Sequence, residues 1–169
     1  MGIPTKRGQP VLNWVKPQKG YWLTKFQVSL MKIFWEQNYM FLPDELRELL
    51  PKDKRDLEQS TALVSIGYPT VAPILPDLLE WLQDGNRPVA HVIGPFLASI
   101  RAPLAGEVRR ILQSQDHLWK YWILLRVVAH SPELATTLYP ELVKIAEGDA
   151  VDEDEKEVKE VAKEILSGS

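Results

Sequence analysis

From Pro43 onward, apolar residues recur every three or four positions and strand-like alternation is absent, so the pattern predicts helices throughout. Pro43–Leu50 opens with Pro at its first helical position and Asp44 and Glu45 in its first turn, where acids suit the helix dipole. Asp56–Ile66 follows and should end at Gly67. Pro69 restarts the chain, and Pro73 and Pro76 divide the stretch to Gln83 into two short pieces. Asp84-Gly85-Asn86 reads as a turn. Arg87–Ile100 is the next helix, with Pro95 expected to kink it or end it early. Pro103–Gln113 and Asp116–His130 follow. Ser131-Pro132 reads as N-cap and first position of a helix to Glu147, closed by Gly148. The last helix spans Asp152–Leu166. Asp152 and Glu155 have capping-box spacing, and Val158, Val161, Ala162, Ile165 and Leu166 form one apolar stripe.

Two features of this pattern go beyond element boundaries. In Asp116–His130 the run from Leu118 to Val128 is apolar on nearly every side, interrupted by Lys120 and Arg126, which predicts a central, buried helix. Second, three segments align without gaps: Pro76–Gln83, Gly106–Gln113 and Pro140–Glu147. Each carries an acid at its second place (Asp77, Glu107, Glu141). Each is apolar at its third (Leu78, Val108, Leu142), sixth (Trp81, Ile111, Ile145) and seventh (Leu82, Leu112, Ala146). The segments are offset by 30 and 34 residues, and helix pairs recurring at about 30–40 residues are the signature of an α-solenoid, in which each unit buries its apolar face against its neighbours. The expected fold is all-α, a short solenoid of antiparallel helix pairs over residues 43–169. An ordinary helical bundle with coincidental similarity is the alternative.

Charge changes the picture at the two ends. The net charge of −3 divides into +5 over residues 1–42, −1 over 43–132 and −7 over 133–169. Residues 1–42 also hold eight of the fifteen Phe, Trp and Tyr residues, with Pro and Gly punctuating the first half, while Tyr21–Phe41 is free of both and suits a helix. This basic, aromatic extension has three readings. It is upstream sequence included by a misassigned start, with Met40 the true beginning and the extension not native. It is a real, partly disordered arm that docks on the body or on a partner. Or it is a membrane-surface or nucleic-acid segment. No apolar run approaches the length that spans a bilayer, and no secretory signal pattern occurs, so a cytoplasmic location is expected.

Candidate chemistry is sparse. With no cysteine, disulfides, thiolate nucleophiles and Cys-type zinc sites are excluded. His91, His117 and His130 lie too far apart in sequence for a metal pair on one helix. The acidic run Asp152–Glu157 lacks the alternate spacing and central Gly of a calcium loop. Asp53 and Asp56, beside Lys52, Lys54 and Arg55, read as a solvated mixed-charge helix start. No phosphate loop and no nucleophile or zincin motif is present. No cofactor, metal or catalytic residue is expected.

The sequence Leu50-Pro-Lys-Asp-Lys-Arg-Asp-Leu57, followed in order by Gly67-Tyr-Pro69, Pro73–Asp84, Pro88-Val-Ala90 and Trp119-Lys-Tyr-Trp-Ile-Leu124, resembles a family of small bacterial proteins of unknown function with a HEAT-like helical fold. The resemblance covers about residues 46–166. It implies the fold and no activity. What remains is a binding surface. In a solenoid, the turns and first helical positions of successive units share one edge, which nominates Asn86 and Arg87 in one unit and His117, Trp119 and Lys120 in the next. Trp119 beside Lys120 has the composition of an interface hot spot, or else Trp119 fills the core. The expected function is a non-enzymatic module that binds another protein, of adaptor or antidote type. The rival is a nucleic-acid binder or processing enzyme using a local basic groove formed by Arg87, Arg101, Arg109, Arg110 and Lys120. The net acidity of the helical part counts against that rival, because phosphate contacts supply most non-specific affinity.

Overall fold

The computed structural model describes residues 43–168, together with Ile3–Pro4 and Pro10–Val11. The chain divides into two units, Met1–Met40 and Phe41–Ser169. In the first, Ile3–Pro4 (β1) and Pro10–Val11 (β2) pair antiparallel with Ile3 opposite Val11. The expected helix over Tyr21–Phe41 lies outside the described residues.

The described part of the second unit is all-α. Its helices are α1 (Pro43–Arg47), α2 (Leu57–Ile66), α3 (Leu75–Glu80), α4 (Pro88–Ile100), α5 (Ala105–Leu112), α6 (His117–Arg126), α7 (Pro132–Thr137), α8 (Tyr139–Glu147) and α9 (Glu153–Ser167). Single 3-10 turns at Ala72–Ile74, Ala102–Leu104 and Val128–His130 lead into or out of them. The caps follow the side chains. Asp56, Asp116 and Asp152 each accept a hydrogen bond from the backbone N–H three residues on, at 3.2, 2.9 and 2.9 Å. Gly67 closes α2 at φ +76°, a conformation that favours glycine. Glu155 completes its capping box one residue further upstream than expected, accepting from the Val151 N–H at 2.7 Å.

α2 packs on α4, α4 on α6, and α6 on α9, while α8 packs on α7 and α9. α4 and the Ala102–Leu112 segment turn through 107° at their break. One apolar cluster runs from Leu46 to Ala162 and takes in every helix. The aligned segments fall on α3, α5 and α8. Their third and seventh places, Leu78 and Leu82, Val108 and Leu112, Leu142 and Ala146, are all buried. Two of their second-place acids are held by an arginine from earlier in the chain. Arg47 Nε meets Asp77 Oδ2 at 3.2 Å, and Arg109 Nε meets Glu141 Oε1. The third acid, Glu107, pairs with Arg110 of its own helix.

Five expectations need correction. α1 stops at Arg47 and not Leu50, because Pro51 disfavours helical backbone at the residue before it. α4 runs unbroken through Pro95. Pro95 and His91 are both exposed, so water can take the carbonyl whose donor Pro95 lacks. The expected helix from Pro132 to Glu147 is two helices that meet at Leu138, since Pro140 cannot continue a preceding helix. Ser131 does not cap α7 with its side chain; its hydroxyl is buried without a partner.

The fifth correction concerns α6. Only Ile123 and Leu124 are fully buried in it, with Val127 and Val128 beyond its end. Trp119, Tyr121, Trp122 and Leu125 are half-buried and Leu118 is 56% exposed. Aromatic side chains are large enough to cover core atoms with one face or edge while the other stays wet. An apolar run therefore overstated how central the helix is.

Candidate partner-binding site

The five nominated residues do not come together. They divide among three places on the domain. Asn86 and Arg87 occupy the turn between α3 and α4. Asp84 organises this turn, accepting from the Asn86 N–H with one oxygen and from Arg87 Nε with the other, both at 3.2 Å. His117 and Lys120 face α8 and α9. There His117 Nε2 lies 3.6 Å from Glu155 Oε1, and Lys144 and Lys159 share a small pocket with them. Lys159 is engaged through a 2.7 Å bond from Nζ to the Gly148 carbonyl.

Trp119 stands apart from both pairs. Its indole N–H donates to the Leu79 carbonyl of α3 at 3.0 Å, and its ring packs against the core. That bond fixes the ring as one wall of a groove of about 290 Å³. Leu79 and Ile111 form the floor and are buried, at 1% and 5% exposure. Pro76 and Ser114 flank them. Glu80, Glu107 and Arg110 stand around the mouth. Glu107 and Arg110 are paired to each other, whereas Glu80 meets no cation at ion-pair distance among the described residues. The groove thus has an apolar floor, an aromatic wall and a charged rim with one unpaired acid among the described residues, Glu80. Sequence reasoning found Trp119 and missed Leu79, Glu80 and Ile111. The available signal was the repeat itself: α3 and α5 carry corresponding segments, and Ile111 holds the sixth place in one of them.

A larger depression of about 650 Å³ lies where α4 ends and α7 begins. Its walls include Ser99, Arg101, His130, Ser131 and Glu133, and Arg101 Nη1 bonds Glu133 Oε1 at 3.1 Å across it. Arg101 has φ +66° and ψ −139°, backbone that glycine adopts readily and other residues seldom do.

The basic residues that would form a nucleic-acid groove are dispersed and mostly occupied. Arg87, Arg101, Arg109 and Arg110 are bound to Asp84, Glu133, Glu141 and Glu107 in turn. Lys120 stands on the α9 side with His117. Among the described residues no three His, Asp or Glu side chains are grouped so as to hold a metal ion, and no single helix is long and apolar enough to cross a membrane.

The Leu50–Leu57 motif is a closed loop. Asp56 accepts from the Lys52 N–H with Oδ2 at 3.1 Å and from the Gln59 N–H with Oδ1 at 3.2 Å. These two amides, the Lys52 one foremost, hold its carboxyl below the usual aspartate range, and the Lys52 ammonium adds to the effect. Pro51 is buried beneath, and the Lys54 carbonyl accepts from the Val89 N–H at 3.3 Å, which fastens the loop to the start of α4.

A family model described as "Domain of unknown function (DUF5071)" matches residues 49–166, from the start of this loop to the end of α9. No curated protein matches the chain.

Proposed function

The chain belongs to the DUF5071 family of unknown function, and on that premise we propose that its helical part is a short HEAT-like solenoid that binds another protein and catalyses nothing. The solenoid reading is supported by the order of packing. α2, α4, α6 and α9 succeed one another as first helices, and α3, α5 and α8 carry the aligned second-helix segments. Arg47–Asp77 and Arg109–Glu141 then tie one unit to the next at intervals of 30 and 32 residues. An adaptor or antidote working in the cytoplasm suits such a module.

The observation that carries the binding role is the groove between α3 and α5. Its occupant is a protein segment with one apolar side chain flanked by lysine or arginine. The apolar anchor fills the space over Leu79 and Ile111 against Trp119, the arrangement in which a few buried contacts supply most of the affinity. The basic flanks answer Glu80, the acid of the rim with no cation of its own among the described residues, and they suit a helical part whose net charge is −8 over residues 43–169.

Selection from a displayed random-peptide library tests this. The full chain should enrich sequences with a single large apolar residue flanked by Lys or Arg, and Glu80→Lys should abolish that enrichment. No enrichment, or the same sequences enriched on Glu80→Lys, contradicts the proposal.

A further inference from the structure

We propose that the Lys52–Arg55 loop is a second docking site, and that it takes an acidic segment of a protein partner. The loop carries three cations, Lys52, Lys54 and Arg55, against two carboxylates, Asp53 and Asp56. Both carboxylates accept from the loop's own amides, Asp56 from Lys52 N–H and Gln59 N–H and Asp53, itself exposed, from Arg55 N–H at 2.7 Å. The three cationic side chains are left facing water. Among the described residues none of them forms an ion pair. Arg55 is the one described arginine with neither a carboxylate nor an aromatic ring; the other six have Asp44 and Asp77, Asp84, Glu133, Glu141, Glu107, or the Trp122 ring.

Stability does not account for these charges. The Lys54 carbonyl bond to Val89 N–H places the loop at the amino end of α4, whose first turn contains no acid. Positive side chains are disfavoured at that end of a helix. The backbone is fastened at Pro51, Asp56 and Lys54, so the display of Lys52, Lys54 and Arg55 costs a partner little ordering. An arriving carboxylate cluster supplies counter-charge to Lys54 and Arg55 and adds to what Asp56 gives Lys52.

The rest of the domain selects among anions. The net charge of −8 over residues 43–169 repels a long polyanion that must cross acidic surface, whereas a short acidic segment meets only the patch. This site is separate from the α3–α5 groove and does not depend on it.

Titration of a fluorescent hexaglutamate peptide against the full chain tests the proposal. At low salt the peptide should bind. Replacing Lys52, Lys54 and Arg55 together by Ser should weaken binding at least about tenfold, or about 1.4 kcal/mol. Lys156→Ser with Lys163→Ser, on exposed positions of α9, should leave it unchanged. Circular dichroism melts of the variants establish that the loop variant is folded. No binding at low salt, a loss smaller than about tenfold in the loop variant, or a hexathymidylate that displaces the peptide each overturns the proposal.

Discussion

The indole of Trp122 lies directly over Gly85, so close that a β-carbon at position 85 would overlap the six-membered ring. The turn Asp84-Gly85-Asn86 is thereby fastened under α6, and Gly85 is buried although it belongs to a turn. Gly85→Ala must push the ring aside and with it Arg126, whose guanidinium sits 5.5 Å from the ring centroid. Overpacking of this kind costs about 1–3 kcal/mol. Urea unfolding should show a midpoint lowered accordingly with an unchanged slope.

Arg101 is the opposite case, a side chain where glycine fits better. Its φ of +66° strains the backbone by about 1–3 kcal/mol. Its ion pair with Glu133 is 63% and 61% exposed and returns less than that. Arg101→Gly should therefore stabilise the domain by about 1 kcal/mol in the same assay, and Arg101→Ala should not.

The two inter-unit ion pairs should differ in strength. Arg109 and Glu141 are more sheltered from water than Arg47 and Asp77, and Arg109 holds the Glu141 carboxyl below the usual glutamate range. A double-mutant cycle should give a coupling of about 1 kcal/mol for Arg109–Glu141 and under about 0.5 kcal/mol for Arg47–Asp77, the latter vanishing first as salt is added.

Asp56 and Glu141 also set the acid limit. Both carboxyls titrate lower in the folded chain than their ordinary values of 3.8 and 4.5. Their ionised forms therefore stabilise the fold above those values, and the contribution is lost as pH falls through the lower, folded ones. Unfolding midpoints should be flat from about pH 7 to 5 and fall below about pH 4. Asp56→Asn should start lower at neutral pH and fall less steeply on acidification.

Much of the helical layout was legible because local chemistry decides it. Asp56, Asp116 and Asp152 are short acids placed directly before periodic segments, and each caps the helix it announces. The aligned segments were legible for a similar reason, since burial at their third and seventh places needs only apolar side chains at helical spacing. The misses are relationships between distant residues. Nothing local to Trp119 says that its N–H will find the Leu79 carbonyl forty positions earlier. Nothing in Lys-Asp-Lys-Arg-Asp says that both aspartates will be engaged by the loop's own amides while the cations form no ion pair among the described residues. Grouping Asn86, Arg87, His117, Trp119 and Lys120 assumed that the starts of successive first helices share an edge. The α3–α4 turn, the α3–α5 groove and the α9 side lie apart because α6 turns Trp119 toward α3 and His117 toward α9.

The central claim is that the groove under Trp119 receives a basic, apolar protein segment. Its most direct test is the indole N–H resonance of Trp119 in a nitrogen-15 correlation spectrum, followed as a library-selected peptide is added to the full chain. The account predicts that this resonance shifts with the amides of Leu79, Glu80, Ile111 and Ser114, saturates with them, and that none of them moves in Glu80→Lys. Saturable binding that leaves these five signals in place and perturbs another face would contradict it.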